Sequence, residues 1–168
     1  MVRKDKITLQ RIELLHPKVK DEVKAIYDEI CNVLTGRAIC RFAYTLRTFE
    51  EQNALYAQGR SVLFDKNGKR LGIVTNAKGG QSYHNYGLAI DIVLILDGKI
   101  ASWDIKTDFD GDKTSDWMEC VSIFKKYGWE WGGDWKFKDY PHFQKTFGLS
   151  VEKLFQLYKE QKTIYPKF

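Results

Sequence analysis

The sequence predicts a single α+β domain in which helices pack against a sheet. Apolar residues recur at helical spacing over residues 8–36, and again from Asp116 to Tyr127. Between these helices, Leu88 to Leu96 is an almost continuous run of apolar, strand-forming residues. A strand with apolar side chains on both faces is buried on both sides, so we expect this strand to lie in the core.

Length and composition agree with one domain. A chain of 168 residues can bury a core, and an aromatic content of 14% argues against disorder. We expect one domain over residues 1–168, with N-terminal helices over 1–36, a catalytic core over 37–148 and a C-terminal helix over 149–168. The net charge of +5 would attract a polyanion, but Lys and Arg are scattered, so we expect no nucleic-acid partner.

The cysteines and the N-terminus bear on the compartment. Cys31, Cys40 and Cys120 lie in apolar contexts without metal-ligand spacing, which predicts buried free thiols and synthesis in a reducing compartment. No apolar signal core follows the charged N-terminus, and no segment is long enough to span a membrane. We therefore expect synthesis in the cytoplasm without a signal peptide, no stable membrane association, and a monomer.

The N-terminal third predicts two helices and a strand. Thr8 is expected to cap a short first helix, and His16-Pro17 separates it from a second helix that ends at Gly36. We interpret His16 as a packing or capping residue. The segment from Ile39 to Leu46 predicts a strand.

A polar segment follows this strand. Thr48 and Glu51 have the spacing of a capping box at the start of a helix. Arg47 therefore lies between a strand end and a helix start, where it forms either a surface ion pair or a bidentate contact with a substrate carboxylate. Gln52, one helical turn later, would support the same pocket.

Three further segments contain turn signals. Asn67-Gly68 indicates a two-residue hairpin turn between apolar flanks. Gly79-Gly80 would let the backbone approach a ligand closely. The segment Asp108 to Asp112 mildly resembles a calcium loop, but we interpret it as a solvated turn that lacks the closing glutamate.

Ser150 is expected to begin a last helix that continues to about Gln161.

Polar residues interrupt the apolar pattern at two places. Asp91 is a carboxylate in the buried strand, which is costly unless a cation or several donors compensate it. His84 lies shortly before it, and His142 lies in a second polar cluster with Asp139. Two histidines and one aspartate suit a zinc site with a fourth position open for water. Spacing alone leaves a structural role open, because the helical two-histidine zinc motif is absent.

The combination of motifs is more specific than any one of them. Ser-x-His-x-x-Gly-x-Ala-x-Asp from Ser82 to Asp91, followed by Asp-x-x-His from Asp139 to His142, resembles the D-alanyl-D-alanine carboxypeptidase and L-alanyl-D-glutamate peptidase family of zinc enzymes. The resemblance spans roughly residues 10–148 and is strongest to the peptidases of phage endolysins. Further matching segments are Arg47 to Gln52, Val74 to Gly80 and Gly128 to Trp135.

This resemblance implies a fold and a metal site. The family shares its fold with the hedgehog signalling domain, which implies an antiparallel sheet that carries the site, with helices packed on it. It implies Zn²⁺ held by His84, Asp91 and His142. Asp139 would then be the catalytic base that takes a proton from the attacking water.

The resemblance also implies a substrate. Arg47, Gln52 and Ser82 would bind the peptidoglycan stem peptide. The enzyme would cut this peptide at its L-alanyl-D-glutamate bond, and it would act on the cell wall after its release. The endolysin peptidases of this family have aspartate rather than glutamate at the position that Asp139 occupies here, so the resemblance favours that branch. A D-alanyl-D-alanine carboxypeptidase and a non-catalytic, zinc-bearing wall-binding module remain alternatives.

Overall fold

The computed structural model describes residues 2–168 and has the expected α+β architecture. The helices are α1 (Lys6–Ile12), α2 (Pro17–Val33), α3 (Phe49–Ala57), α4 (Asp116–Lys126) and α5 (Val151–Gln161). The strands are β1 (Ala38–Tyr44), β2 (Ala89–Leu96), β3 (Ile100–Ser102), β4 (Glu130–Trp131) and β5 (His142–Gln144). Short 3₁₀ helices span Tyr83–Tyr86 and Gly132–Asp134.

The sheet is antiparallel throughout and is built around β2. One edge of β2 pairs with β1, while the other edge pairs with β5 near its start and with β3 near its end. β4 pairs with β5, so the strand order is β1-β2-β5-β4. This register places Asp91 of β2 directly opposite His142 of β5. The expectation of an antiparallel sheet with packed helices is confirmed.

The expected central strand is confirmed. Every residue of β2 is buried except Asp91, which is partly exposed. Helices α2 and α4 pack together and contribute apolar side chains to the same core as β1 and β2. Burial of these side chains supplies the main favourable term in folding and holds the sheet against the helices. The core includes Ile12, Ile26, Phe42, Ile90, Ile92, Trp117, Phe124 and Phe143.

The caps of the first two helices differ partly from expectation. The side chain of Asp5, rather than Thr8, caps α1 by accepting from the Thr8 N–H at 3.1 Å. The cap on α2 is confirmed, since His16 Nδ1 accepts from the Lys18 N–H at 3.1 Å. α2 ends at Val33, with Leu34 as its C-cap, rather than at Gly36.

The transition from β1 to α3 positions the site. β1 ends at Tyr44, which pairs with Asp91, so the expected extension of the strand to Leu46 is wrong. The predicted capping box is present: Thr48 Oγ1 accepts from the Glu51 N–H, and the Glu51 carboxylate accepts from the Thr48 N–H. The chain between β1 and α3 is thus fixed at both ends.

The predicted hairpin has a different turn. Asp65 and Lys69 pair through an N–H···O bond of 2.9 Å, which leaves three loop residues rather than the expected two. The Asp65 carboxylate accepts from the N–H groups of Asn67 and Lys69, and Gly68 has φ +79°. Local side-chain bonds and a glycine in the left-handed region favour the three-residue turn.

Gly79 and Gly80 allow close packing of the loop that contains them. A β-carbon on Gly79 would lie 2.6 Å from the Phe49 carbonyl oxygen, and one on Gly80 would lie 2.8 Å from the Phe155 ring. The pair therefore lets this loop approach α3 and α5. α5 begins after the expected cap Ser150 and ends at Gln161.

None of the helices within residues 2–168 combines the length and apolar character required to cross a membrane.

Candidate metal centre

The structure brings together the three predicted metal ligands. His84 Nε2 lies 3.2 Å from Asp91 Oδ1, and His142 Nδ1 lies 3.0 Å from the same oxygen. The two imidazole rings have their centroids 5.1 Å apart. Each of the three residues offers a donor atom within 4.8 Å of the others, although 57 residues separate His84 from His142 in the sequence.

A hydrogen bond to the backbone determines which nitrogen of His84 faces the centre. His84 lies in the 3₁₀ helix Tyr83–Tyr86, which Ser82 caps. Its Nδ1 donates to the Thr45 carbonyl at 2.8 Å, so the lone pair resides on Nε2. That Nε2 atom is buried and has no hydrogen-bond partner within residues 2–168. A buried lone pair beside a carboxylate is a strong indication of a cation site.

His142 is oriented by a side chain on its own strand. Its Nε2 donates to Gln144 Oε1 at 2.9 Å, which leaves Nδ1 facing Asp91. The Gln144 amide is oriented in turn, because its Nε2 donates to Glu130 at 3.1 Å. Second acceptors of this kind fix the tautomer of metal-binding histidines. Sequence analysis missed these acceptors, although strand alternation does place Gln144 on the face of His142.

Electrostatics also require a positive charge here. Burial alone would raise the pKa of Asp91, but the adjacent imidazoles of His142 and His84 outweigh burial and lower that pKa. Burial alone would lower the pKa of His142, but the contact with Asp91 outweighs burial, so the pKa of His142 is raised. The carboxylate therefore favours a cation between itself and the imidazoles. Two imidazole nitrogens and a carboxylate oxygen are a fitting donor set for a transition metal.

Replacing Gln144 with leucine should weaken Zn²⁺ binding by about 10–100-fold, the usual effect of removing a partner of a metal-binding histidine. The apolar side chain cannot accept the Nε2 proton of His142, so the ring loses its fixed tautomer. Competitive titration with a chromogenic chelator measures this affinity. Gln10→Leu on the exposed face of α1 is the matched control. An unchanged affinity in Gln144→Leu would refute this role.

Arg47 points toward the same centre from the turn after β1. Its Nη2 lies 3.8 Å from Asp91 Oδ2, and its side chain is 14% exposed. Gln52 is buried; its Oε1 accepts from Arg47 Nη1 at 3.1 Å, and its Nε2 donates to the Ala77 carbonyl at 2.8 Å. Gln52 is therefore placed to hold the guanidinium in position.

Asn85 joins three parts of the site and was missed by sequence analysis. Its Oδ1 accepts from the N–H groups of Gly80 and Ser82, and its Nδ2 donates to the Arg47 carbonyl at 2.9 Å. The residue lies inside the Ser82–Asp91 motif, so the motif contained the signal. Ser82 itself accepts from the His84 N–H at 3.3 Å and also lines the cleft.

Asp139 is an exposed residue that lines the same cleft. Its N–H donates to the Gly132 carbonyl, and its own carbonyl accepts from the His142 N–H, so the backbone around it is held on both sides. Desolvation by the surrounding protein raises the pKa of the Asp139 carboxyl; the imidazole of His142 opposes this, and the charge of Asp91 reinforces it. Asp139 is thus a carboxylate with increased proton affinity close to the candidate ligands.

All seven predicted site residues line one cleft of about 330 Å³, a volume within the range of ligand pockets. The cleft therefore contains a cation site, a guanidinium and a separate carboxylate. Its lining residues are Arg47, Gln52, Leu55, Val74, Thr75, Ser82, His84, Asp91, Asp139 and His142.

Comparison with known proteins places this site in a family. A family model described as D-alanyl-D-alanine carboxypeptidase matches residues 75–145. Peptidoglycan L-alanyl-D-glutamate endopeptidase CwlK of Bacillus subtilis is 47% identical over 132 residues, which cover 77% of this chain and 72% of CwlK. An L-alanyl-D-glutamate peptidase of a Listeria phage is 31% identical over 132 residues, covering 77% of this chain and 39% of the phage protein.

A solved structure shares the fold. The L-Ala D-Glu endopeptidase ChiX of Serratia marcescens superposes with a TM-score of 0.54 at 19% identity, covering 87% of this chain and 91% of ChiX. The extent of the match to CwlK, with the matching family model, shows that the chain belongs to the M15 family of metallopeptidases, which includes the D-alanyl-D-alanine carboxypeptidases and the L-alanyl-D-glutamate peptidases.

Proposed function

We propose that this protein is a zinc-dependent peptidase that hydrolyses the L-alanyl-D-glutamate bond of peptidoglycan stem peptides. One observation carries the proposal: His84, Asp91 and His142 present their donor atoms in the cleft that also contains Asp139 and Arg47. Two relatives named for cleavage of this bond support the choice of substrate.

The donor set supports zinc as the metal. Calcium and magnesium prefer oxygen ligands, whereas two imidazoles and one carboxylate are a known catalytic zinc set with a position left for water. His84, Asp91 and His142 would hold the ion. When bound, zinc supplies a water of lowered pKa and polarises the scissile carbonyl.

The other residues of the cleft have separate roles. Asp139 accepts the proton of the attacking water and returns it to the leaving amine, a task suited to a carboxylate of raised pKa. Arg47, held by Gln52, pairs with the free carboxylate of the glutamate in the substrate. Ser82, at the cleft wall, donates a hydrogen bond to the peptide, which helps to orient the bond to be cut.

Digestion of purified peptidoglycan should release fragments that begin with D-glutamate, leaving L-alanine on the glycan strands. Mass spectrometry of the soluble products identifies the bond. The protein after removal of its metal is the matched control and should release none. Release of free D-alanine with the L-alanyl-D-glutamate bond intact would show a carboxypeptidase instead. Binding to peptidoglycan without any products would indicate a wall-binding module.

The expectations on partners and compartment extend this proposal. We predict a monomer that binds peptidoglycan but neither nucleic acid nor membranes, and that reaches the wall only after its release from the cytoplasm. Expression without a partner that permeabilises the membrane should leave cells intact, and prompt lysis caused by the protein alone would contradict this prediction.

A further inference from the structure

A second group of carboxylates lies in the loop that leads into α4. Counted from Asp108, acidic residues occupy the first, third, fifth, ninth and twelfth positions of a twelve-residue segment. These positions, together with the backbone carbonyl at the seventh, supply the ligands of a calcium loop. The acidic residues are Asp108, Asp110, Asp112, Asp116 and Glu119.

The expectation that this segment lacks a closing glutamate is therefore wrong. Glu119 is that glutamate, and it lies in the first turn of α4. The twelfth residue of a calcium loop likewise provides a bidentate glutamate. The remaining departure is at the sixth position, where the usual glycine is replaced by Lys113.

The carboxylates converge in space as well as in sequence. Asp108, Asp110 and Asp116 offer ligand atoms within 4.8 Å of one another, and Asp110, Asp112 and Glu119 do the same. Asp110 belongs to both sets, so the two groups of carboxylates adjoin each other. Lys113 has φ +81°, the left-handed conformation for which this position normally requires glycine.

Two of these carboxylates each have one buried oxygen without a hydrogen-bond partner, although Asp116 Oδ1 accepts from the Phe109 N–H at 2.7 Å. Asp116 is 0% exposed, and its Oδ2 has no hydrogen-bond partner within residues 2–168. Glu119 Oε2 is buried and equally without a partner in this part of the chain. None of the five carboxylates forms a salt bridge among the described residues. Burying unpaired carboxylates is costly, so the cluster needs a cation.

Burial and the charges of Asp112, Asp110 and Asp116 raise the pKa of Glu119 to about 7. A divalent ion among the carboxylates would reverse the effect by stabilising their charged forms.

The loop is attached to the end of the sheet that lies away from the zinc ligands. The N–H and hydroxyl groups of Thr35 donate to Asp110 Oδ2, each at 3.1 Å. A β-carbon on Gly36 would lie 2.5 Å from the Phe109 carbonyl oxygen, so only glycine permits this approach. β1 begins just after this contact and reaches Asp91 at its other end, about 20 Å away.

We propose that residues 108–119 bind one Ca²⁺ ion at a site separate from the metal centre in the cleft. The ligands are the carboxylates of Asp108, Asp110, Asp112, Asp116 and Glu119, with the carbonyl of Thr114. All of these ligand atoms are oxygens. Zinc sites in proteins usually include imidazole or thiolate ligands, and this site has neither. The number of carboxylates and the irregular loop favour Ca²⁺ over Mg²⁺, which requires a strict octahedron and retains water. The ion would fix the start of α4 against the end of α2.

Calorimetric titration of the zinc-loaded protein with CaCl₂ tests the site, after removal of calcium and with zinc content measured before and after. We expect about one Ca²⁺ per chain, with a Kd of roughly 10⁻⁶–10⁻³ M. At about 100 times the Kd, calcium should raise the midpoint of thermal unfolding by roughly 5–10 °C. Mg²⁺ at the same concentration should have a smaller effect.

Glu119→Gln tests the assigned ligand, and Glu152→Gln in the first turn of α5 is the matched control. Glu119→Gln should weaken Ca²⁺ binding by about 100-fold, whereas Glu152→Gln should bind like the parent protein. Without calcium, Glu119→Gln should unfold at the same or a higher temperature than the parent, because it removes a carboxylate that the neighbouring aspartates repel. With calcium, the order should reverse.

Two results would overturn the proposal. One is a parent protein that neither releases heat nor gains stability at millimolar Ca²⁺ while its zinc is retained. The other is a Glu119→Gln protein that gains as much stability from calcium as the parent and the Glu152→Gln control.

Discussion

Replacing Asp139 with alanine should lower turnover of a purified stem peptide by about 10²–10⁴-fold, the usual effect of losing a general base. Zinc should remain at about one ion per chain. Among residues 2–168, the substitution removes the only carboxylate lining the cleft that is not one of the three candidate ligands. The backbone hydrogen bonds of Asp139 to Gly132 and His142 do not involve its side chain, so the fold should persist.

Metal analysis by atomic emission beside a hydrolysis assay checks this expectation. Asp134→Ala is the matched control, because Asp134 is a nearby exposed carboxylate that pairs with Lys125 at the surface. It should retain both zinc and activity. A zinc-free Asp139→Ala protein would make Asp139 a ligand or a support of one, whereas a zinc-replete and fully active protein would place the base elsewhere.

Replacing His142 with alanine should remove both zinc and activity. The substitution deletes one of three protein ligands and leaves Asp91 without the imidazole that contacts it at 3.0 Å. His84→Ala should behave in the same way. Asp91→Ala should also lose zinc, and because β2 is the central strand we expect it to lower the free energy of unfolding as well. Metal content and activity are measured together with circular dichroism to follow the fold.

The third histidine provides the control for this experiment. The chain contains three histidines, and His16 lies at the start of α2, where it caps the helix. Asparagine is also a favourable capping residue, so His16→Asn should keep the helix, the zinc and the activity. Full zinc content in His142→Ala would show that His142 is not a ligand.

Local features of the fold could be predicted because they depend on residues close together in the chain. The capping box of Thr48 and Glu51, the helical spacing of α4 and the buried strand β2 all follow from patterns of a few residues. The predictions were wrong where two local structures, such as two caps or two turns, are both compatible with the sequence. Asp5 rather than Thr8 caps α1, and Asp65 side-chain bonds favour a three-residue turn over the one expected at Asn67-Gly68.

The proposed calcium loop illustrates the same division. The spacing of the acidic residues from Asp108 to Glu119 is visible in the sequence, so the complete set of candidate ligands could be predicted from it. The burial of Asp116, and the absence of a partner for its Oδ2 among residues 2–168, depend on how α4 packs on the rest of the protein. Only that packing turns a spacing into a site that needs a cation.

By itself, the sequence determined the α+β class, the buried strand that carries Asp91, and through its motifs the set of candidate ligands. The tertiary structure decided how those ligands are oriented. Thr45 fixes His84 because β1 ends beside the 3₁₀ helix, and Asp91 meets His142 because β2 pairs with β5 across about 50 residues of chain. Such contacts depend on the register between distant strands, and a local pattern of residues contains no information on that register.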